Sequence, residues 1–125
     1  ADGLAATKRL RATHPQDYAL LSGEDTVFVD RGVDECGRFE LRHHAPVIET
    51  DPRGRFASLH LNNHIRADRF LQAPAQWARL FAANRRLAGL VGGEEFVLSL
   101  RLGPGDVVLF DNGRTLHGRR GYGKP

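Results

Sequence analysis

Apolar residues recur at three- and four-residue spacing in two stretches of the chain and at two-residue spacing in three others. In the first stretch Leu4, Ala6 and Leu10 share one side while Lys8, Arg9 and Arg11 occupy the other, which predicts a helix over 5–13. Asp2 stands where an N-cap carboxylate would accept a backbone N–H of the first turn. Pro15 stops that helix and opens a second over 16–21, closed by Ser22-Gly23. After Pro74, residues 75–91 form the longest helical pattern, with Trp77, Leu80, Phe81, Leu87 and Leu90 as its apolar face. Trp77 and Phe81 are expected in the core, and Gly92-Gly93 ends the helix.

The remaining pattern is strand-like. Thr26-Val27-Phe28-Val29 predicts a short strand, and 31–37 reads as a polar loop. Residues 38–42 alternate, 46–50 continue them, and 55–61 return. Asp51-Pro52-Arg53-Gly54 has tight-turn chemistry between them, so 38–61 reads as one hairpin. Phe96, Leu98, Leu100 and Leu102 alternate with Val97, Ser99 and Arg101 over 95–102. A turn at 103–106 leads to a last strand over 107–110. The order ααβββαββ lacks the βαβ alternation of a doubly wound sheet. It predicts an α+β fold, a mainly antiparallel sheet with flanking helices, in a single domain over 1–125.

Composition narrows the class. No apolar run approaches the roughly 18 residues of a spanning helix, so no membrane partner is expected. Cys36 is the one cysteine, which excludes an internal disulfide and fits a reducing, cytoplasmic setting. In its Gly-rich surroundings it reads as a small filler rather than a nucleophile. The net charge is +3, but the arginines are scattered and no aromatic-interleaved stripe accompanies them, so no nucleic-acid partner is expected. The chain contains no methionine, which favours a piece of a longer polypeptide.

The candidate chemistry sits near the C-terminus. Asp111-Asn112-Gly113 is turn chemistry, and His117 follows, flanked by Gly118, Arg119 and Arg120. An imidazole there can hold a metal or carry a proton, and arginine can grip a carboxylate bidentately. On residue pattern alone His117 reads as a surface histidine, because no His-x-Asp/Glu pair exists in the chain to join it in a facial triad. His60 and His64 are four apart but fall on a strand and a loop, so their spacing carries little weight. His43-His44 diverge on a strand and read as a solvated edge. Asn62-Asn63 end a strand, either capping a turn or donating to a polar substrate group.

These residues carry a resemblance. The segment Leu102-Gly103-Pro104-Gly105-Asp106-Val107-Val108-Leu109-Phe110-Asp111-Asn112, then Arg114 and Leu116-His117-Gly118-Arg119, resembles the gamma-butyrobetaine and trimethyllysine dioxygenase branch of the TauD/TfdA-like oxygenases. Pro46-Val47-Ile48-Glu49-Thr50-Asp51 and Leu61-Asn62-Asn63 are similar to that branch's middle strands, and the N-terminal helices fit as well. The resemblance implies a partial double-stranded β-helix (jelly roll), the C-terminal portion of the oxygenase domain. It implies Fe(II) as cofactor, 2-oxoglutarate as co-substrate, and hydroxylation of a trimethylammonium substrate, a small quaternary amine such as gamma-butyrobetaine. His117 matches the distal iron ligand. Asn63, and less closely Asn62, matches the region contacting the substrate's carboxylate end. Arg119 belongs to the motif and is a secondary contact for 2-oxoglutarate; the family's own arginine for that carboxylate would lie beyond Pro125. The family's His-x-Asp would precede Ala1, so these residues alone are expected to be inactive. Relatives often pair, which implies a homodimer. Two alternatives stay open: a non-catalytic binding module on the same scaffold, and a basic interaction domain with salt-sensitive binding.

Overall fold

The computed structural model describes residues 1–62, 65–66 and 73–119. Helix α1 spans Gly3–Thr13, and Asp2 caps it as expected, its carboxylate accepting from the Ala5 N–H at 3.1 Å. Helix α2 spans Pro15–Gly23, with proline in its first turn. Helix α3 spans Pro74–Val91; Leu80, Ala83, Leu87 and Val91 are its buried stripe, at spacings of three and four. Arg86 Nε lies 2.7 Å from Asp17 Oδ2, an ion pair without hydrogen-bond alignment that ties α3 to α2.

Strand β1 (Asp25–Asp34) pairs antiparallel with β2 (Gly37–Pro46) along its whole length, from Asp25↔Pro46 to Asp34↔Gly37. The expected polar loop over 31–37 is therefore mostly strand, closed by a tight turn at Glu35-Cys36. Apolar alternation misses it because burial stops after Val29; the outer half is held by ladder hydrogen bonds and by pairs such as Arg31–Glu40. Gly37 takes φ +118°, which an L side chain would resist, and so permits the tight turn.

Strand β3 (Ile48–Thr50) pairs antiparallel with β4 (Phe56–Leu59), with a bulge between Glu49 and Thr50. The expected hairpin over 38–61 is thus two units: β2 pairs back to β1, and only 48–59 forms the hairpin. Its turn is held by Asp51, whose Oδ1 accepts from the Arg53 and Arg55 N–H groups, both at 2.9 Å.

The core joins the three helices to β3 and β4. Ala6, Leu10, Leu21, Val47, Ile48, Ala83 and Leu87 are fully buried, with Leu59 and Leu80 nearly so. Each large member contributes about 1.5–3 kcal/mol through burial. Trp77 is half-buried and Phe81 38% exposed, so neither is in this core. The α3 stripe that packs runs through Ala83 and Val91 instead, and the two rings stack on each other at 5.2 Å. No described helix is long and apolar enough to cross a membrane.

After α3 the expectation of two further strands is corrected. Glu94–Phe96 is one 3-10 turn, and residues 97–102 and 107–110 run without strand pairing among the described residues. Leu98 is 76% exposed, Val107 81% and Leu109 92%. The turn between them forms as expected, with Asp106 Oδ2 accepting from the Gly103 N–H at 2.7 Å. In place of one mainly antiparallel sheet, the described residues hold two separate two-stranded antiparallel sheets.

Candidate functional site

The loop that carries His117 is built by Asp111. Its side-chain Oδ1 accepts from the Gly113 N–H at 2.9 Å, and its carbonyl accepts from the Thr115 N–H at 2.8 Å. This is the turn chemistry that Asp111-Asn112-Gly113 announces. The loop is then stitched to the body of the protein. Leu59 at the end of β4 donates its N–H to the Gly113 carbonyl, and Gly3 at the start of α1 donates to the Arg114 carbonyl, both at 2.9 Å.

His117 itself is exposed. Its ring centroid lies 4.6 Å from that of Phe110, tilted by 47°. Neither ring nitrogen makes a hydrogen bond among the described residues. An accessible imidazole with uncommitted nitrogens fits one metal ligand. The described residues bring no group of three or more His, Cys, Asp or Glu together for a metal. They supply a single donor, and further donors would have to come from elsewhere.

Asn62 is exposed, three residues past Leu59, so it and His117 both follow closely from the Leu59–Gly113 hydrogen bond. Asn63 and His64 lie outside the described residues, as does Arg120. Arg119 is exposed.

Two groupings escaped the sequence reading. In the first, Arg114 grips Asp2 with both arms of its fork: Nε to Oδ1 at 3.3 Å and Nη2 to Oδ2 at 2.7 Å. The Arg114 guanidinium holds the Asp2 carboxyl below the usual carboxylate range, and Asp2 in turn raises Arg114. The partners stand 112 positions apart, and only the N-cap role of Asp2 is legible locally.

The second grouping lies across β3 and β4. Ser58 donates to Glu49 Oε2 at 2.6 Å, and His60 Nε2 lies 3.1 Å from the same oxygen. The Ser58 hydroxyl, and then the His60 ring, hold Glu49 below the usual carboxylate range. His43 and Phe28 from the other hairpin face His60, each with ring centroids 5.8 Å from it. His43 is exposed, as a solvated edge predicts. Ser58 and His60 fall on one face by two-residue spacing, the signal that would have linked them.

The sequence as a whole is similar to known proteins. Residues 1–125 match the family described as "Taurine catabolism dioxygenase TauD, TfdA family". The chain belongs to that family. It is 34% identical to the gamma-butyrobetaine dioxygenase of Homo sapiens over 122 residues, covering 97% of this chain and 31% of that protein. Against the gamma-butyrobetaine dioxygenase of Pseudomonas sp. (strain AK-1) it is 31% identical over 121 residues, covering 97% of this chain and 30% of the other. Against dioxygenase str8 of Strobilurus tenacellus it is 30% identical over 124 residues, 98% of this chain and 27% of the other. Within the family the chain falls in the gamma-butyrobetaine dioxygenase branch. It spans less than a third of the length of these relatives.

Proposed function

We propose that residues 1–125 are part of an Fe(II)- and 2-oxoglutarate-dependent dioxygenase that hydroxylates a trimethylammonium substrate such as gamma-butyrobetaine. The observation that carries this reading is the match to gamma-butyrobetaine dioxygenases along nearly the whole chain. The free imidazole of His117 on a braced loop supports it. In this reading His117 is one of the iron ligands. Asn63, with Asn62 as the second choice, meets the carboxylate end of the substrate, and Arg119 is a secondary contact for 2-oxoglutarate. Iron, when bound, supplies the activation of dioxygen that couples 2-oxoglutarate oxidation to hydroxylation. The chain's own share is to place one donor and part of the substrate surface. The apolar segments 97–102 and 107–110 find their partner strands elsewhere in the polypeptide, completing a jelly roll, and the domain is cytoplasmic.

A second reading, a non-catalytic binding module on the same scaffold, draws on the absence of a three-donor group among the described residues. Succinate release separates the two. The full-length protein, given Fe(II), 2-oxoglutarate and gamma-butyrobetaine, is expected to form succinate, while residues 1–125 alone form none. Robust succinate formation by residues 1–125 would refute the partial-site reading. No turnover by the full-length protein with any quaternary amine would favour the module.

A further inference from the structure

We infer that Asp2 and Arg114 are positioning residues for the His117 imidazole, an inference that rests on the iron-ligand reading of that histidine. Residues 113–116 are fixed from two sides. Leu59 of β4 donates to the Gly113 carbonyl, and the N-terminal segment lies along the other side. There Gly3 donates to the Arg114 carbonyl at 2.9 Å, the Leu116 N–H donates to the Ala1 carbonyl at 3.0 Å, and the Ala1 nitrogen donates to the Leu116 carbonyl at 2.6 Å. Asp2 and Thr115 face each other as an antiparallel bridge. The Asp2 N–H is itself anchored on the Phe96 carbonyl at 2.9 Å. A Cβ on Gly3 would fall 2.6 Å from the Arg114 carbonyl oxygen and 2.9 Å from Leu59 Cδ2, so the junction has no slack.

The Asp2–Arg114 fork closes this junction on its side-chain face, three residues before His117. A ligating imidazole is commonly oriented through its second nitrogen by a carboxylate or carbonyl. His117 has no such partner among the described residues, so its placement is inherited from the backbone that carries it. The ion pair is half in water, with side chains 49% and 38% exposed, and pairs of that kind contribute little to stability. What a planar, two-point fork contributes in addition is fixed geometry, which lysine cannot reproduce.

The test uses the full-length protein with Co(II) as the titrated probe, read from its visible absorption. Asp2→Asn keeps a side chain that can cap α1 but loses the charge. Arg114→Lys keeps the charge but loses the fork. Each is expected to weaken Co(II) binding by about tenfold or more and to speed amide exchange at Leu116. Arg86→Gln breaks the comparably exposed Arg86–Asp17 pair, with side chains 48% and 24% exposed. It is expected to leave Co(II) affinity within about twofold. Unchanged Co(II) affinity in Asp2→Asn and Arg114→Lys, or an equal loss in Arg86→Gln, overturns the inference. His117→Ala tells the two levels apart. If it retains Co(II) binding, the iron-ligand reading fails and takes this inference with it. If it abolishes binding while Asp2→Asn does not weaken it, only the positioning role fails.

Discussion

The helical core and the segment after α3 both carry leucine and valine in number, yet they end in opposite environments. Leu10, Leu21 and Leu87 are fully buried, while Leu98, Leu100 and Leu109 are 62–92% exposed. The difference lies in where each kind of element finds its partner. A helix satisfies its own backbone, so three helices need only one another and one short hairpin to bury their apolar side chains. An extended segment needs a neighbouring strand for both its hydrogen bonds and its side chains. For 97–102 and 107–110 the described residues supply none. Exposed apolar patches of this kind mark an interface, and in the proposed function their partner strands come from the rest of the polypeptide.

The largest expected effects lie on the buried side. Leu10→Ala or Leu87→Ala should each cost about 2–5 kcal/mol in urea unfolding of residues 1–125. Leu109→Ser in the same chain should stay within about 0.5 kcal/mol. In the full-length protein the Leu109 substitution should become as costly as a core truncation. A Leu109 effect that stays negligible at full length would break the contrast, because the segment would then be surface in both settings.

Gly3→Ala probes a junction where the two regions are joined backbone to backbone. The added methyl would meet the Arg114 carbonyl oxygen at 2.6 Å, and backbone cannot swing away as a flexible side chain can. Forced displacement of this kind costs about 1–3 kcal/mol. Thermal melting of the variant checks it, with amide exchange at Leu116 showing whether the loop before His117 has come loose.

Acid should loosen the turns and the junction before it touches the core. Asp2, Glu40, Glu49 and Asp51 all have carboxyls held below their ordinary values. Their folded pKa values are depressed. The stability they contribute is therefore present above the ordinary values and is lost as pH falls through 4.5 for the glutamates and 3.8 for the aspartates towards the folded values. Stability at pH 3 should be lower than at pH 6. The difference should shrink in high salt, because these groups are largely exposed to water.

The smallest effect sharpens the picture at the edge of the core. Ser58→Ala removes the leading cause of the Glu49 shift, so the Glu49 pKa should rise towards its ordinary value. NMR titration of the Glu49 carboxyl reads this directly, and the change in stability should be under about 0.5 kcal/mol. An unmoved Glu49 would mean that His60 alone holds it.

What the sequence made legible follows the same division. The three helices were readable because Pro15, Pro74 and Gly92 mark their ends locally, and in α1 and α3 the apolar spacing is regular as well. The outer half of the β1–β2 hairpin was not, because Arg31 to Asp34 are paired by backbone bonds without burial, and a polar strand leaves no apolar alternation. The segment 97–102 alternates well and still forms no strand ladder among the described residues, since periodicity reports which residues could share a face and not whether a neighbouring strand exists. At the site, the turn before His117 was legible from Asp111-Asn112-Gly113. The Asp2–Arg114 fork was not, because no local pattern joins residues 112 positions apart.

The proposed role of His117 as a metal ligand meets its most direct test in Fe(II)-dependent succinate release from 2-oxoglutarate by the full-length protein, with and without His117→Ala. The substitution should bring succinate release down to background while the melting temperature moves little, since the ring is exposed and its contact is with Phe110, itself 44% exposed. Succinate release at the unsubstituted rate would contradict it.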